Sequence, residues 1–181
     1  NMNENGQIDG KLIQYFENGK ISSETPYTNG SIEGTEQVYY ENGELKELNN
    51  FVNNMYDGVQ KTYFDNGVLY AESNYVAGVL QGVTKTYYPN KQLEEYLTFA
   101  DNMRNGVYKK YFDNGNLENE VNFSNDQPNG LMKTYFKNGN LYSELPYVDG
   151  VINGQAKMYY ENGKKKSVAD FADNKLNGHD I

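Results

Sequence analysis

Residues 10–33 read GKLIQYFENGKISSETPYTNGSIE, and residues 34–57 read GTEQVYYENGELKELNNFVNNMYD. Laid over one another, the two stretches share a leading glycine, an aromatic pair, an Asn-Gly, an apolar residue just beyond it and a later aromatic. The leading glycine returns every 24 residues, at Gly10, Gly34, Gly58, Gly82, Gly106, Gly130, Gly154 and Gly178. Repetition at a fixed short period is the signature of an array whose units are too small to bury a core alone and lean on their neighbours.

Within one unit, residues 11–16 and 21–27 are short runs of strand-forming residues, and the segment between them carries Asn18-Gly19. Asn-Gly suits a two-residue type I′ turn, which needs positive φ at both central positions, so each unit is predicted to be a β-hairpin. The dipeptide recurs at Asn42-Gly43, Asn66-Gly67, Asn114-Gly115, Asn138-Gly139 and Asn162-Gly163, and the fourth copy replaces it with Pro89-Asn90-Lys91. A two-residue loop would set Phe16 opposite Ile21, Tyr15 opposite Ser22, Ile13 opposite Glu24 and Gly10 opposite Tyr27. The copies support that register, because Lys61, Lys109 and Lys133 would then face Glu72, Glu120 and Glu144. Opposite charges across a ladder stabilise it by ~0.2–1 kcal/mol each. A glycine opposite an aromatic also lets the ring lie over bare backbone.

Alternation along the strands then predicts two faces. One is a core face of Phe16, Ile21, Tyr27 and their copies, with Lys165 in place of the apolar residue in the seventh unit. The other carries Tyr15, Tyr39, Tyr63, Tyr87, Tyr111, Tyr135 and Tyr159 among the Lys and Glu pairs. The segments between hairpins, residues 28–33 and their copies, read as loops. Nothing in the chain offers a helix or a second sheet, so the expected fold class is all-β: tandem hairpins with a 24-residue period forming one elongated, twisted, single-layer antiparallel meander. Residues 1–9 resemble the end of a preceding repeat, residues 10–177 hold seven hairpin repeats, and residues 178–181 read as the start of an eighth or a tail. Open edges on such an array predict edge-mediated self-association.

Composition bounds the function. Sparse Leu, Ile, Val and Phe and a net charge of −9 lean toward disorder, but eighteen tyrosines supply apolar area with a polar tip. The chain has no cysteine, hence no disulfide or thiolate chemistry. No apolar run reaches the length of a membrane-spanning helix. The first residue is Asn1 rather than an initiator, which leaves a cytoplasmic and a secreted or cell-envelope location equally open. The acidic balance argues against nucleic acid and anionic lipid as partners.

The tyrosine row is the main candidate for binding, since rings repeated along a sheet can hold a peptide or sugar rings. Its plainer reading is that the rings cover lysine stems and Val59, Val83 and Val107. An acidic ridge before the turns, Glu17, Glu41, Asp65, Asp113 and Glu161, is spaced too widely to share one cation and reads as solvated turn residues or as an attractor for a basic partner. The irregular fourth repeat, with Pro89, Lys91 and Tyr96, is a third candidate: Lys91 either adopts a positive φ or changes the turn type, and the sharper reading is a kink that shapes a binding surface. The sequence assigns no catalytic residue, no cofactor and no metal. His179 is the one histidine and sits in the terminal tail, and the glutamates recur as lysine partners, the opposite of an acid with a raised pKa.

The unit Y-[YF]-x-N-G-x-L-x-x-E, carried by Tyr15, Phe16, Asn18, Gly19, Ile21 and Glu24 and by their copies, resembles the bacterial variant of the MORN (membrane occupation and recognition nexus) repeat over essentially the whole chain. Departures lie at Pro89, Lys91, Tyr96, Lys165 and Val168. The resemblance implies a non-enzymatic hairpin array that binds a protein partner, of the kind often labelled an antitoxin or immunity component. A looser similarity to tyrosine-rich choline-binding and clostridial toxin repeats implies the alternative, a carbohydrate- or cell-wall-binding module.

Overall fold

The computed structural model describes residues 2–178, so His179 lies outside the described residues. All nineteen named elements are β-strands, the pairings among them are antiparallel, and the fold is all-β with the 24-residue period of the sequence. Two compact units divide between Lys91 and Gln92. In the first, Gly10–Tyr15 pairs with Ile21–Thr28, Gly34–Tyr39 with Leu45–Val52, and Gly58–Tyr63 with Leu69–Val76. Each second strand also pairs with the first strand of the following hairpin, up to Gly82–Tyr87. The second unit repeats the pattern from Leu93–Ala100 to Lys165–Ala172. Each unit is a meander one layer thick.

The predicted register holds over most of the six hairpins that lie within one unit. Gly10 faces Tyr27, Ile13 faces Glu24, and Lys61, Lys109 and Lys133 face Glu72, Glu120 and Glu144.

At the turn the expectation fails. Gly19 has φ +82 and Asn18 is not among the positive-φ residues, so the loop is not type I′. The Gly19 N–H instead donates to the Phe16 carbonyl at 2.9 Å, and the Phe16 N–H donates to the Lys20 carbonyl at 2.8 Å, giving a three-residue loop closed by a left-handed glycine. Asn18 is held in place by its own side chain, whose Oδ1 accepts the Lys20 N–H at 3.0 Å, the usual local competition of an asparagine for the backbone. The same bond recurs from Asn42, Asn66, Asn114, Asn138 and Asn162. The longer loop slips the register by one residue, and Tyr15 faces Ile21 where Ser22 was expected. That bulge overturns part of the face assignment: Ile21 lies beside Tyr39, and Leu69 beside Tyr63 and Tyr87, so the apolar residue after the turn belongs to the tyrosine row. Phe64 and Phe136 meet the bulge residues Tyr70 and Tyr142 instead, edge-on at 5.1 Å.

The type I′ turn exists, in the segments expected to be loops. Asn29 and Gly30 have φ +49 and +83, Thr28 pairs with Ser31 and Tyr27 with Ile32. Equivalent pairs at Asn53-Asn54, Ala77-Gly78, Asp101-Asn102, Asn125-Asp126, Asp149-Gly150 and Asp173-Asn174 all take positive φ. Except for Ala77, these are the residue types that tolerate the left-handed region. The chain is thus a run of two alternating turn types with little irregular loop between them.

The extra strand pairs build an apolar ladder. Tyr56 faces Phe51, their rings lie 4.7 Å apart, and Tyr56 reaches Tyr75 of the next hairpin at 5.4 Å. In the second unit Arg104 lies over the Phe123 ring at 4.2 Å and holds Asp126 at 2.9 Å.

No conventional core forms. Among the described residues the buried side chains are mostly polar, Ser23, Thr25, Asn49, Gln60 and Ser143, beside Val121 and Ala156. They are satisfied across strands: Ser23 donates to Gln14 at 2.9 Å, Thr25 donates to Glu36 at 2.7 Å, and Thr134 and Ser143 share a bond of 2.6 Å. Gln60 bonds both the N–H and the carbonyl of Asn50, at 2.7 and 3.0 Å, close to where the ladder opens between hairpins.

Candidate binding face: tyrosines, charges and grooves

The tyrosines end the first strand of each hairpin, one strand across from the glutamate of the hairpin before. Tyr39, Tyr87, Tyr135 and Tyr159 donate their hydroxyls to Glu24, Glu72, Glu120 and Glu144 at 3.4, 3.1, 3.0 and 3.1 Å. Each of these glutamates accepts from the hairpin that follows, so the bond ties hairpin to hairpin within each unit.

The same glutamates sit between cations. Glu72 faces Lys61 on one side and Lys85 on the other, with Lys85 Nζ at 3.1 Å. In the second unit Lys109, Glu120, Lys133, Glu144 and Lys157 face one another in turn across successive strands. Burial pushes the Glu72 carboxyl up, but hydrogen bonds from Lys85 and Tyr87 and the nearby ammonium charges outweigh it and hold the group below its ordinary value. Glu72 is thus a structural partner of the cations and the hydroxyl around it.

Burial, then the bond to the glutamate, raises the tyrosines, and Tyr135 is pushed up to about 12. Tyr39, Tyr87 and Tyr159 shift the same way for the same reasons. A raised folded-state pKa means that the stabilisation is complete below the unfolded value of about 10 and is lost as pH climbs through about 12. In an ultraviolet titration Tyr135 is therefore expected to ionise late, and Glu120→Gln to bring it back toward the ordinary range. An unchanged titration in that variant would refute the assignment.

The remaining row members differ. Tyr15 is 62 % exposed. At Tyr63 the preceding hairpin offers Leu48, which faces Lys61, in place of a glutamate, and the Tyr63 hydroxyl has no hydrogen-bond partner among the described residues. Tyr111 faces Leu117, and Tyr96 stands opposite Lys109 where other copies place a glutamate.

Shallow grooves open between neighbouring hairpins beside their turns. One of about 450 Å³ lies among Ile21, Glu24, Tyr39 and the turn backbone at Gly19 and Gly43. Its counterpart two hairpins on, about 500 Å³, lies among Tyr63, Val68, Leu69, Tyr87 and Lys91. Lys91 takes φ +71 and donates its N–H to the Tyr88 carbonyl at 2.8 Å, so the turn at Pro89-Asn90-Lys91 keeps the bond made by the glycines elsewhere. Of the acidic ridge, Asp113 pairs with Lys137 at 2.6 Å, and Glu161 accepts from Asn138 at 3.1 Å.

The sequence singled out the tyrosines and Lys91 but missed the two residues that set them apart locally. Leu48 breaks the glutamate pattern, and Val68 is apolar where the other copies carry Lys20, Glu44, Gln92, Asn116, Asn140 and Lys164. Both could have been found by scanning columns of the repeat for departures in polarity.

A family model described as MORN repeat variant matches residues 8–29, 32–53, 56–77, 80–101, 104–125, 128–149 and 152–173. Among curated proteins none matches the chain.

Proposed function

Because the chain belongs to the MORN repeat variant family, whose members are generally non-catalytic repeat scaffolds, we propose that it binds another protein across the face that carries Tyr39, Tyr87, Tyr135 and Tyr159. The observation that supports this reading is the order of that face. Each of these tyrosines is fixed by a glutamate of the preceding hairpin, and beside them run alternating ammonium and carboxylate groups. Rings already held in place lose little conformational freedom on contact, which is where aromatic anchors gain their affinity. A net charge of −9 favours encounter with a basic partner, as a small toxin neutralised by an immunity-type scaffold would be.

Cross-linking of the full chain to a candidate toxin encoded beside it tests the reading. The cross-links are expected on the tyrosine face, and Lys133→Glu with Lys157→Glu is expected to weaken binding by about tenfold or more while the strands persist by circular dichroism. Cross-links confined to the opposite face would overturn it. The grooves between adjacent tyrosines favour a second reading, a carbohydrate-binding surface.

A further inference from the structure

We propose that the groove between Tyr63 and Tyr87 is a specific site for a sugar ring that carries a carboxylate, such as a uronate unit of an acidic polysaccharide; this rests on the carbohydrate reading and names its site and ligand. Three departures from the repeat converge on this one groove. Leu48 in place of glutamate leaves the Tyr63 hydroxyl unpaired, so a phenol that could donate and accept stands beside the groove. Val68 joins Leu69 in an apolar wall where other copies carry polar or charged side chains. Lys91 brings an ammonium to the groove from a position that six other copies give to glycine.

The backbone makes the last departure informative. Lys91 holds φ +71, a left-handed conformation that costs a residue with a Cβ about 1 kcal/mol relative to glycine. Strain of this kind persists where surrounding structure over-determines it, and it concentrates at ligand sites. The companion groove at Tyr39 keeps glycine at that position, carries Lys20 where this one has the apolar Val68, and has its tyrosine hydroxyl bound to Glu24, which is itself paired with Lys11 at 3.3 Å. Among the described residues no carboxylate lines the Tyr63 groove, and Glu72 near it is held by Lys85 and by the Tyr87 hydroxyl. Flat rings, an apolar floor, one free hydroxyl and one cation fit the apolar face, hydroxyls and carboxylate of a uronate.

The test is titration of the full chain with a galacturonate trisaccharide and with its methyl ester, which keeps the shape and removes the charge. The acid is expected to bind about tenfold more tightly than the ester. Lys91→Gly is expected to abolish that preference while the melting temperature stays level or rises, since glycine relieves the strained φ; loss of binding then cannot be read as unfolding. Leu48→Glu is expected to weaken the acid by re-engaging Tyr63 and adding a negative charge. Equal affinity for acid and ester, an unaltered preference in Lys91→Gly, or tighter binding of a glutamate hexapeptide would each overturn the site. A neutral glycan that binds unaffected by Lys91→Gly would sink this site and leave the carbohydrate reading standing, whereas no binding of any glycan on a broad array would sink both.

Discussion

Tyr56→Ala is expected to destabilise the first unit by roughly 2–4 kcal/mol, although the residue is 38 % exposed and lies in the two-residue strand Met55–Tyr56. Its ring is the link between two hairpins, packed on Phe51 at 4.7 Å and reaching Tyr75 at 5.4 Å. Each aromatic contact contributes about 0.5–1.5 kcal/mol beyond area, and the truncated side chain forfeits most of its own burial. In an array cohesion runs between neighbours, so the loss should be local. Hydrogen exchange is the suitable probe: amides of the hairpins at 45–75 should lose protection while those of the second unit keep theirs. A uniform loss across both units, or none, would refute the linking role.

Gly154→Val carries an effect of similar size for a different reason. Gly154 has φ +113, and a Cβ built there would lie 3.2 Å from Cγ of Pro146 in the preceding hairpin. A branched side chain would face both a conformation it rarely adopts and a rigid ring that cannot swing aside, for a cost of roughly 2–5 kcal/mol. Gly130 separates the two contributions: its φ is +97, yet nothing stands within 4 Å of a Cβ there. Gly130→Ala should therefore cost only the conformational part, about 1–3 kcal/mol. Urea unfolding of the two variants should rank Gly154→Val clearly below Gly130→Ala, and the reverse order would refute the close-approach argument.

The period, the antiparallel hairpins and the charge pairs were legible in the sequence, because they depend on features that recur seven times. Lys61 opposite Glu72 or Lys109 opposite Glu120 can be read by aligning the copies against themselves. What the sequence hid was local and geometric. Asn-Gly is compatible with both a two-residue and a three-residue loop, and the choice falls to whether the asparagine bonds its own backbone, as Asn18 does. That choice moved Ile21 and Leu69 onto the tyrosine face. The loops at 28–33 and their copies hid real strands for a related reason: Asn53-Asn54 and Asn125-Asp126 lack the glycine that usually announces a type I′ turn, yet both residues of each take positive φ.

Polar side chains buried in a sheet one layer thick also set how the protein responds to temperature. Among the described residues no large side chain is fully buried, so unfolding hydrates less new hydrocarbon than it does from a closed core. The heat-capacity step on melting then falls below the ~12–15 cal/mol/K per residue usual for globular proteins. Its free-energy curve is correspondingly shallower, and cooling weakens it less than it weakens a hydrocarbon-rich interior.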